Sequence, residues 1–337
     1  MTTIYEVSKL AGVSLATVSR VINNSATVSE KTRAKVTTAM KQLNFKPNAI
    51  ARSLASKRSD CVGVLVPELH GLYYGVMMGS IEAEFKSLNK HIIVTSGQAV
   101  ESKEKEGIEF LISRQCDALI LHVEAVSDHY LIELSKGDIP IVLINRYIEE
   151  IKDKCIYLDN ELGGYLATQS LLEKGHRDIL YISGPLSKSD AKYRFAGHKR
   201  ALSEFGILCS PQMVYEGDYL LTGGTAGIEY FLKEGVQFTA LSCANDEMAT
   251  GAMTTAREHG LELPQDLSII GFDNEVFSSY TFPKLSTVHN PIEDMGHMAA
   301  RIVLKEAYEE SQELLQNLFK PTVIERDSVA ELPNDKK

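Results

Sequence analysis

The chain has 337 residues and is 44% hydrophobic, enough for two or three domains with sizeable cores. Its net charge of −10 argues, taken whole, against a nucleic-acid partner, and no apolar run is long enough to span a membrane. The five cysteines (61, 116, 155, 209 and 243) are far apart, with no CxxC or Cys/His cluster, so zinc and disulfides are not indicated and no metal or cofactor is expected.

The first element is the stretch Thr3 to Asn23, TIYEVSKLAGVSLATVSRVIN. Thr3 followed by Glu6 is a capping box. Val7, Leu10 and Ala11 give helix one an apolar face, and Gly12 is its natural stop. Ser14 caps a second helix that runs to about Asn23, with Val18, Val21 and Ile22 inside. Leu15, Ala16, Ser19, Arg20 and Asn23 are left outside. Two helices joined by a glycine turn make a helix-turn-helix, whose small, polar and cationic outer face suits a DNA major groove. Any small helical hairpin shares this periodicity, but the charge around it is distinctive. Residues 1–59 hold ten Lys or Arg against Glu6 and Glu30, a balance of +8; the other 25 basic and 43 acidic residues give −18. A basic head on an acidic body is the asymmetry of a nucleic-acid module fused to something else, and the body itself would repel DNA.

A third helix starts at Ser29-Glu30-Lys31-Thr32, with Val36, Ala39, Met40 and Leu43 inside, and stops at Pro47-Asn48. The Ala49–Leu54 stretch is too short to hold a helix alone and leads into a polar linker. From Cys61 onward, apolar strands alternate with amphipathic helices. Strands are expected at Val62–Val66, His91–Thr95, Ala118–Leu121 and Ile141–Ile144, with helices at Tyr74–Leu88, Lys103–Ile112 and Asp128–Leu134. A second series has strands Ile179–Ile182, Ala240–Cys243 and Leu267–Gly271, and helices Leu162–Leu172, Ala191–Phe205, Gly224–Lys233 and Asp246–His259. Such alternation predicts two α/β halves, each a doubly wound parallel sheet with helices on both faces. Leu285–Asn290 and Phe319–Val323 are expected to cross back between the halves. The domain plan is 1–46 for the head, 47–59 for the hinge helix and linker, and 60–330 for the body. Lobe one spans about 60–160 and 291–320, lobe two about 161–290 and 321–330, and 331–337 is a polar tail.

Open parallel sheets bind ligands beyond the carboxyl ends of their strands, and two facing halves form a cleft that can close on a small molecule. Polar residues stand at those ends: Asn145-Arg146, Asp159-Asn160, Asn245-Asp246 and Asp273-Asn274, with Arg194 at a helix start. Carboxylates, carboxamides and a guanidinium near aromatic rings suit a sugar, because planar polar groups pair with adjacent hydroxyls while rings cover the apolar face. Asn and Asp at strand ends also serve as plain helix caps. Asp273 and Arg194 are the least easily explained that way.

Taken together, these residues resemble the lactose-repressor/galactose-repressor family of bacterial transcription regulators. GVSLATVSRVINN and VSEKTRAKV resemble its head signature, and PNAIARSLA its hinge. LINR, LLEKGHRDILYISG, RFAGHKRAL, FTALSCANDEMATGAM, LSIIGFDN and PKLSTVHNPI resemble its successive body motifs. Through ATVSRVINNS and SDAKYRFAG the chain is most like the galactose-type repressors. The resemblance implies an all-α helix-turn-helix head and an α/β two-lobed body like periplasmic sugar-binding proteins. It also implies a homodimer on a pseudo-palindromic operator, with affinity changed by a small ligand in the cleft.

Carried over by position, it implies that Leu15, Ala16 and Arg20 read bases, while Tyr5, Ser14, Thr17, Ser19, Asn23, Ser29 and Thr32 position phosphates. Asn48, Ala51 and Leu54 match the hinge, with Leu54 as a minor-groove wedge. In the cleft, Asn145, Arg194, Asn245 and Asp273 match polar effector contacts, and Tyr73, Tyr74 and Tyr219 the aromatic wall. Asp190, four residues before Arg194, shares its helical face. Some sugar-binding relatives carry aspartate where Asn145 stands, and the chain has no tryptophan, so stacking is left to tyrosine and phenylalanine. The tail after Arg326 lacks leucine heptads, which favours a dimer.

The expected function is therefore a cytoplasmic, ligand-controlled repressor whose partners are operator DNA, a galactose-like hexose or galactoside, and a second copy of the chain. A different sugar, a sugar phosphate or a purine is the alternative effector. A free sugar-binding protein is the second reading, disfavoured by the basic head and the missing signal peptide. An enzyme is the third, disfavoured because no nucleophile elbow, P-loop or metal-ligand spacing occurs.

Overall fold

Local capping chemistry builds the head. In the computed structural model, which describes residues 2–22, 27–45, 58–310 and 315–332, the Glu6 carboxylate accepts the Thr3 backbone N–H at 2.7 Å ahead of helix α1 (Ile4–Ala11). Gly12 takes φ 64°, the left-handed conformation that ends the helix without strain. Ser14 Oγ accepts the Thr17 N–H at 3.2 Å and opens α2 (Leu15–Ile22). Ser29 does the same for α3 (Glu30–Gln42). Val7, Val18, Val21, Val36 and Ala39 form the buried centre, with Ile4, Ala11, Ile22, Met40 and Leu43 packed on it. Each fully buried Val is worth about 1.5–3 kcal/mol. Leu10 does not join them and is 50% exposed. The line Ile4–Val7–Ala11 faces inward, and Leu10 sits on its flank.

The chain divides into two compact units, 1–60 and 61–337. The second unit holds two six-stranded sheets. The first contains β1 (Cys61–Val66), β2 (His91–Ser96), β3 (Ala118–Leu121), β4 (Ile141–Ile144), β5 (Cys155–Leu158) and β11 (Leu318–Phe319), in the order β11-β5-β4-β3-β1-β2. All its pairings are parallel. The second contains β6 (Ile179–Ser183), β7 (Val214–Glu216), β8 (Ala240–Cys243), β9 (Ser268–Asp273), β10 (Ser286–His289) and β12 (Thr322–Ile324), in the order β12-β10-β9-β8-β6-β7. Only β12 runs antiparallel. The central strands read as unbroken apolar runs because helices cover both faces: ALIL and IVLI are buried at every position. Lobe one carries α4 (Leu72–Ser87), α5 (Glu101–Ser113) and α6 (Asp128–Ser135). Lobe two carries α7 (Asn160–Glu173), α8 (Ser189–Glu204), α9 (Leu221–Lys233) and α10 (Asp246–Glu258).

The chain passes between the lobes three times: after Leu158, after His289, and between Phe319 and Thr322. Leu285–Asn290, expected to cross, instead supplies β10 of the second sheet, and the crossing lies at its end. Helix α11 (Ile292–Tyr308) follows and packs on α4 and on β3 to β5 of lobe one. Helix α11 is not among the elements expected from the sequence, although Ile292, Met295, Gly296, Ala299, Ala300 and Val303 repeat at helical spacing and are all buried. The edge strand β7 and the short β5 were also unassigned; three or four residues carry too little periodicity to stand out.

Helices α7 and α8 meet backbone to backbone. A methyl added at Gly164 would lie 1.9 Å from the Arg194 carbonyl oxygen, and one at Gly197 would lie 2.0 Å from that of Glu161. This contact fixes where α8 carries Arg194. Gly164→Ala is expected to destabilise the body by about 1–3 kcal/mol through overpacking, read as a lower midpoint in thermal unfolding. An unchanged midpoint would show that the two helices part at no cost.

Candidate functional site

The head presents its polar face through α2. Ala16, Ser19 and Arg20 are exposed, and Leu15 is half-buried outside the head core. Tyr5 on α1 is exposed as well. Ser14 and Ser29 cap α2 and α3, and their hydroxyls pair with Thr17 Oγ1 at 2.9 Å and Thr32 Oγ1 at 3.0 Å. Two helix N-termini, each with hydroxyls beside it, are ready-made places for phosphate oxygens. Asn23, Asn48, Ala51 and Leu54 lie outside the described residues.

In the body, all eight residues singled out for the ligand line one cavity of about 690 Å³ between the lobes. Tyr73 and Tyr74 come from the first turn of α4, their rings edge to face at 5.2 Å. Asn145 follows β4, Asp190 and Arg194 project from α8, and Tyr219 follows β7. Asn245 caps α10, and Asp273 ends β9. Asn145, Tyr219 and Asp273 all have positive φ (60°, 68° and 100°), an unfavourable conformation for non-glycine residues that the surroundings must hold. The Asn145 N–H donates to the Ile156 carbonyl at 2.7 Å. Asn245 Nδ2 donates to the Tyr219 carbonyl at 2.8 Å, and Asn290 Nδ2 donates to Asp273 Oδ1 at 3.1 Å. Asn245 thus caps and faces the cavity at once: its Oδ1 accepts the Met248 N–H at 3.0 Å. Asp159 is a plain cap, accepting the Leu162 N–H at 2.9 Å.

Arg194 is the charged centre of the cavity, only 3% exposed. Its Nε donates to Asn160 Oδ1 at 2.9 Å and its Nη1 to the Ala244 carbonyl at 2.6 Å. Its Nη2 lies 3.4 Å from Asp273 Oδ1, and the guanidinium sits 3.7 Å from the Phe272 ring centre. Burial opposes its charge, yet the Asp273 carboxylate keeps its pKa above the ordinary value. Burial raises the Asp273 carboxyl against the pull of Arg194.

Four contributors went unnoticed in the sequence. His122 directly follows β3, is 3% exposed and has no partner at Nδ1. Burial lowers its pKa to about 4, so the ring is neutral at neutral pH. The strand-end rule that picked Asn145 would also have picked His122. Glu124 and Lys188 form an ion pair of 3.0 Å that joins lobe one to lobe two, and no sequence pattern links residues so far apart. Glu275 lies in the loop after β9, where burial raises its pKa to about 7, with Asp273 and Glu247 adding repulsion. The lining as a whole carries seven carboxylates (Glu68, Glu124, Asp190, Asp218, Glu247, Asp273 and Glu275) against Lys188 and Arg194. Such a site disfavours anions and suits an uncharged, hydroxyl-rich molecule. Among the described residues no group of three or more His, Cys, Asp or Glu is placed to hold a metal, and no helix is long and apolar enough to cross a membrane.

Known proteins share this arrangement. The family model described as bacterial regulatory proteins, lacI family, matches residues 3–48, and that of a periplasmic binding protein-like domain matches residues 168–329. The transcriptional regulator GalR of Escherichia coli strain K12 is 39% identical over 98% of this chain and 96% of its own length. The ribose operon repressor of Haemophilus influenzae is 32% identical over 98% of this chain and the whole of its own. The structure of a lac repressor dimer bound to operator and the anti-inducer ONPF superposes with a TM-score of 0.87 at 29% identity, covering 98% of this chain and 99% of that one. These relatives are transcriptional regulators rather than enzymes. With its basic helix-turn-helix head and two-lobed body, this chain belongs to the lacI family of bacterial regulatory proteins.

Proposed function

We propose that this DNA-binding transcriptional repressor acts as a homodimer on a pseudo-palindromic operator in the cytoplasm, and that an uncharged sugar between the lobes changes its operator affinity. The observation that carries the effector reading is the cavity's polar chemistry. His122 Nδ1 and the Tyr219 hydroxyl are buried there without partners, and a buried polar atom is normally satisfied. Sugar hydroxyls both donate and accept, so one ligand can complete both groups while tyrosine rings cover its apolar face. The excess of carboxylates disfavours a sugar phosphate. The resemblance to galactose-type repressors supports a galactose-like hexose or galactoside. In the cleft Tyr73, Tyr74, Asn145, Asp190, Arg194, Tyr219, Asn245 and Asp273 hold the ligand. In the head Leu15, Ala16 and Arg20 read bases, while Tyr5, Ser14, Thr17, Ser19, Ser29 and Thr32 meet phosphates. The lac repressor dimer on its operator supports the same assembly here.

Fluorescence anisotropy on a palindromic site tests this reading. The full-length protein should bind with strong salt dependence and respond to galactose. Arg20→Ala is expected to weaken binding by about 1–3 kcal/mol and relax selectivity at one base pair. Asp273→Ala should keep operator binding and lose the response to sugar. Sequence-independent binding, or an intact response in Asp273→Ala, would contradict it.

The cleft's acidity also makes a pH prediction. The Glu275 carboxyl titrates near 7 in the folded chain against an ordinary value of 4.5. Between those values the folded state holds a proton that the unfolded state releases, so this group's contribution to stability falls as pH rises. Glu275→Gln should therefore gain thermal stability over the native protein from about pH 5 to 7.5, with the difference vanishing toward pH 4. Parallel pH profiles would assign Glu275 an ordinary carboxyl.

A further inference from the structure

Building on the reading of the cleft as a sugar site, we propose that Glu104, a carboxylate buried outside the cavity, is a positioning residue for the effector. It fixes the loop that carries His122 and Glu124 into the cleft, so sugar affinity depends on a side chain the sugar never touches.

Glu104 lies in the first turn of α5 and is 0% exposed. Its carboxylate is met by backbone N–H groups. Oε1 accepts the Glu124 N–H at 2.8 Å and the Ala125 N–H at 3.1 Å. Oε2 accepts the Ala125 N–H at 2.9 Å and the Val126 N–H at 2.8 Å. Successive N–H groups turned toward one point make an anion-binding concavity, and here the anion is the protein's own side chain. A methyl added at Gly97 would lie 2.5 Å from Glu104 Cγ, so the loop after β2 holds the stem of the side chain from behind.

The three N–H groups belong to the loop between β3 and α6. That loop is pinned at one end by His122, whose N–H donates to the Leu65 carbonyl at 2.8 Å. Its other end is pinned by Ser127, whose Oγ accepts the Tyr130 N–H at 3.2 Å and caps α6. Glu104 holds the span between them, and that span decides what lobe one offers to the ligand. His122 and Glu124 both line the cavity, and Glu124 pairs with Lys188 of lobe two at 3.0 Å. Lys188 is the N-cap residue of α8, the helix that carries Asp190 and Arg194. A buried carboxylate is a costly way to fill a core. What it supplies is direction: hydrogen bonds to a charged acceptor are the stronger kind, and together they set the backbone from which Glu124 reaches lobe two.

The test uses the full-length protein with galactose as the probe. Glu104→Gln keeps the size of the side chain and replaces an acceptor oxygen by a donor that faces N–H groups. Amide exchange at Glu124, Ala125 and Val126 should become at least about tenfold faster. Calorimetric galactose affinity should fall at least about tenfold, while operator binding without sugar matches the native protein. Glu104→Asp, with the charge on a shorter stem, should restore part of both. The same Gln substitution is then made in a Glu124→Ala background. With the main positioned group gone, its further effect on sugar affinity should shrink below about threefold, whereas a general loosening of lobe one acts alike in both backgrounds. Should Glu104→Gln not fold, Glu104→Asp takes its place in both backgrounds, with the same signs expected. Unchanged exchange, unchanged affinity, or an equal loss in both backgrounds overturns the proposal and leaves the sugar reading intact. If the native protein binds neither galactose nor another hexose, the sugar reading fails and this inference falls with it.

Discussion

A guanidinium buried in the second lobe must be compensated on every side, and that requirement organises the cleft. An unpaired charge at the depth of Arg194 would cost several kcal/mol. Its compensation comes from separate elements: the Asp273 carboxylate at the end of β9, the Ala244 carbonyl after β8, and Asn160 at the start of α7. Phe272 lies against its face. Asn160 is also where the chain has just crossed from lobe one. The same side chain therefore touches the ligand cavity and a connection between the lobes. The close contact of α7 with α8 at Gly164 keeps it there.

This arrangement ties the ligand cavity to a crossing of the chain between the lobes. On the proposed reading, a ligand acting on Asp273 alters the balance around Arg194, whose Nε donates directly to Asn160. The Glu124–Lys188 ion pair adds a tie across the cleft itself, between lobe one and lobe two. Allosteric coupling requires a two-state element that contacts of this kind can bias. The strained backbones at Asn145, Tyr219 and Asp273 cluster at the same place, where the surrounding hydrogen bonds keep the site preformed.

Much of the fold was legible because its signals are local. The capping box at Thr3 and Glu6, the stop at Gly12 and the all-apolar strands ALIL and IVLI each follow from the chemistry of a few neighbouring residues. That the cleft residues would line one cavity was legible because a strand-end rule and a family resemblance converged on the same positions. Other features were hidden for physical reasons. The partnership of Glu124 with Lys188 exists only after both lobes fold. The neutrality of His122 depends on burial that its own sequence neighbourhood does not announce. Leu10 looked like core because it is apolar at helical spacing, yet a two-turn helix has room for only one inward line. Helix α11 carries a legible helical spacing, masked by its place between two segments expected to cross between the lobes.

On the proposed reading, the Arg194–Asn160 contact couples the cleft to the crossing between the lobes and so to operator affinity. Asn160→Ala removes the acceptor at the crossing while sparing Asp273 and the aromatic wall. The direct measurement is the ratio of operator affinities with and without saturating sugar, taken alongside calorimetric sugar binding. The account predicts sugar affinity within about threefold of the native protein and a ratio that collapses toward one. A ratio equal to that of the native protein would contradict it.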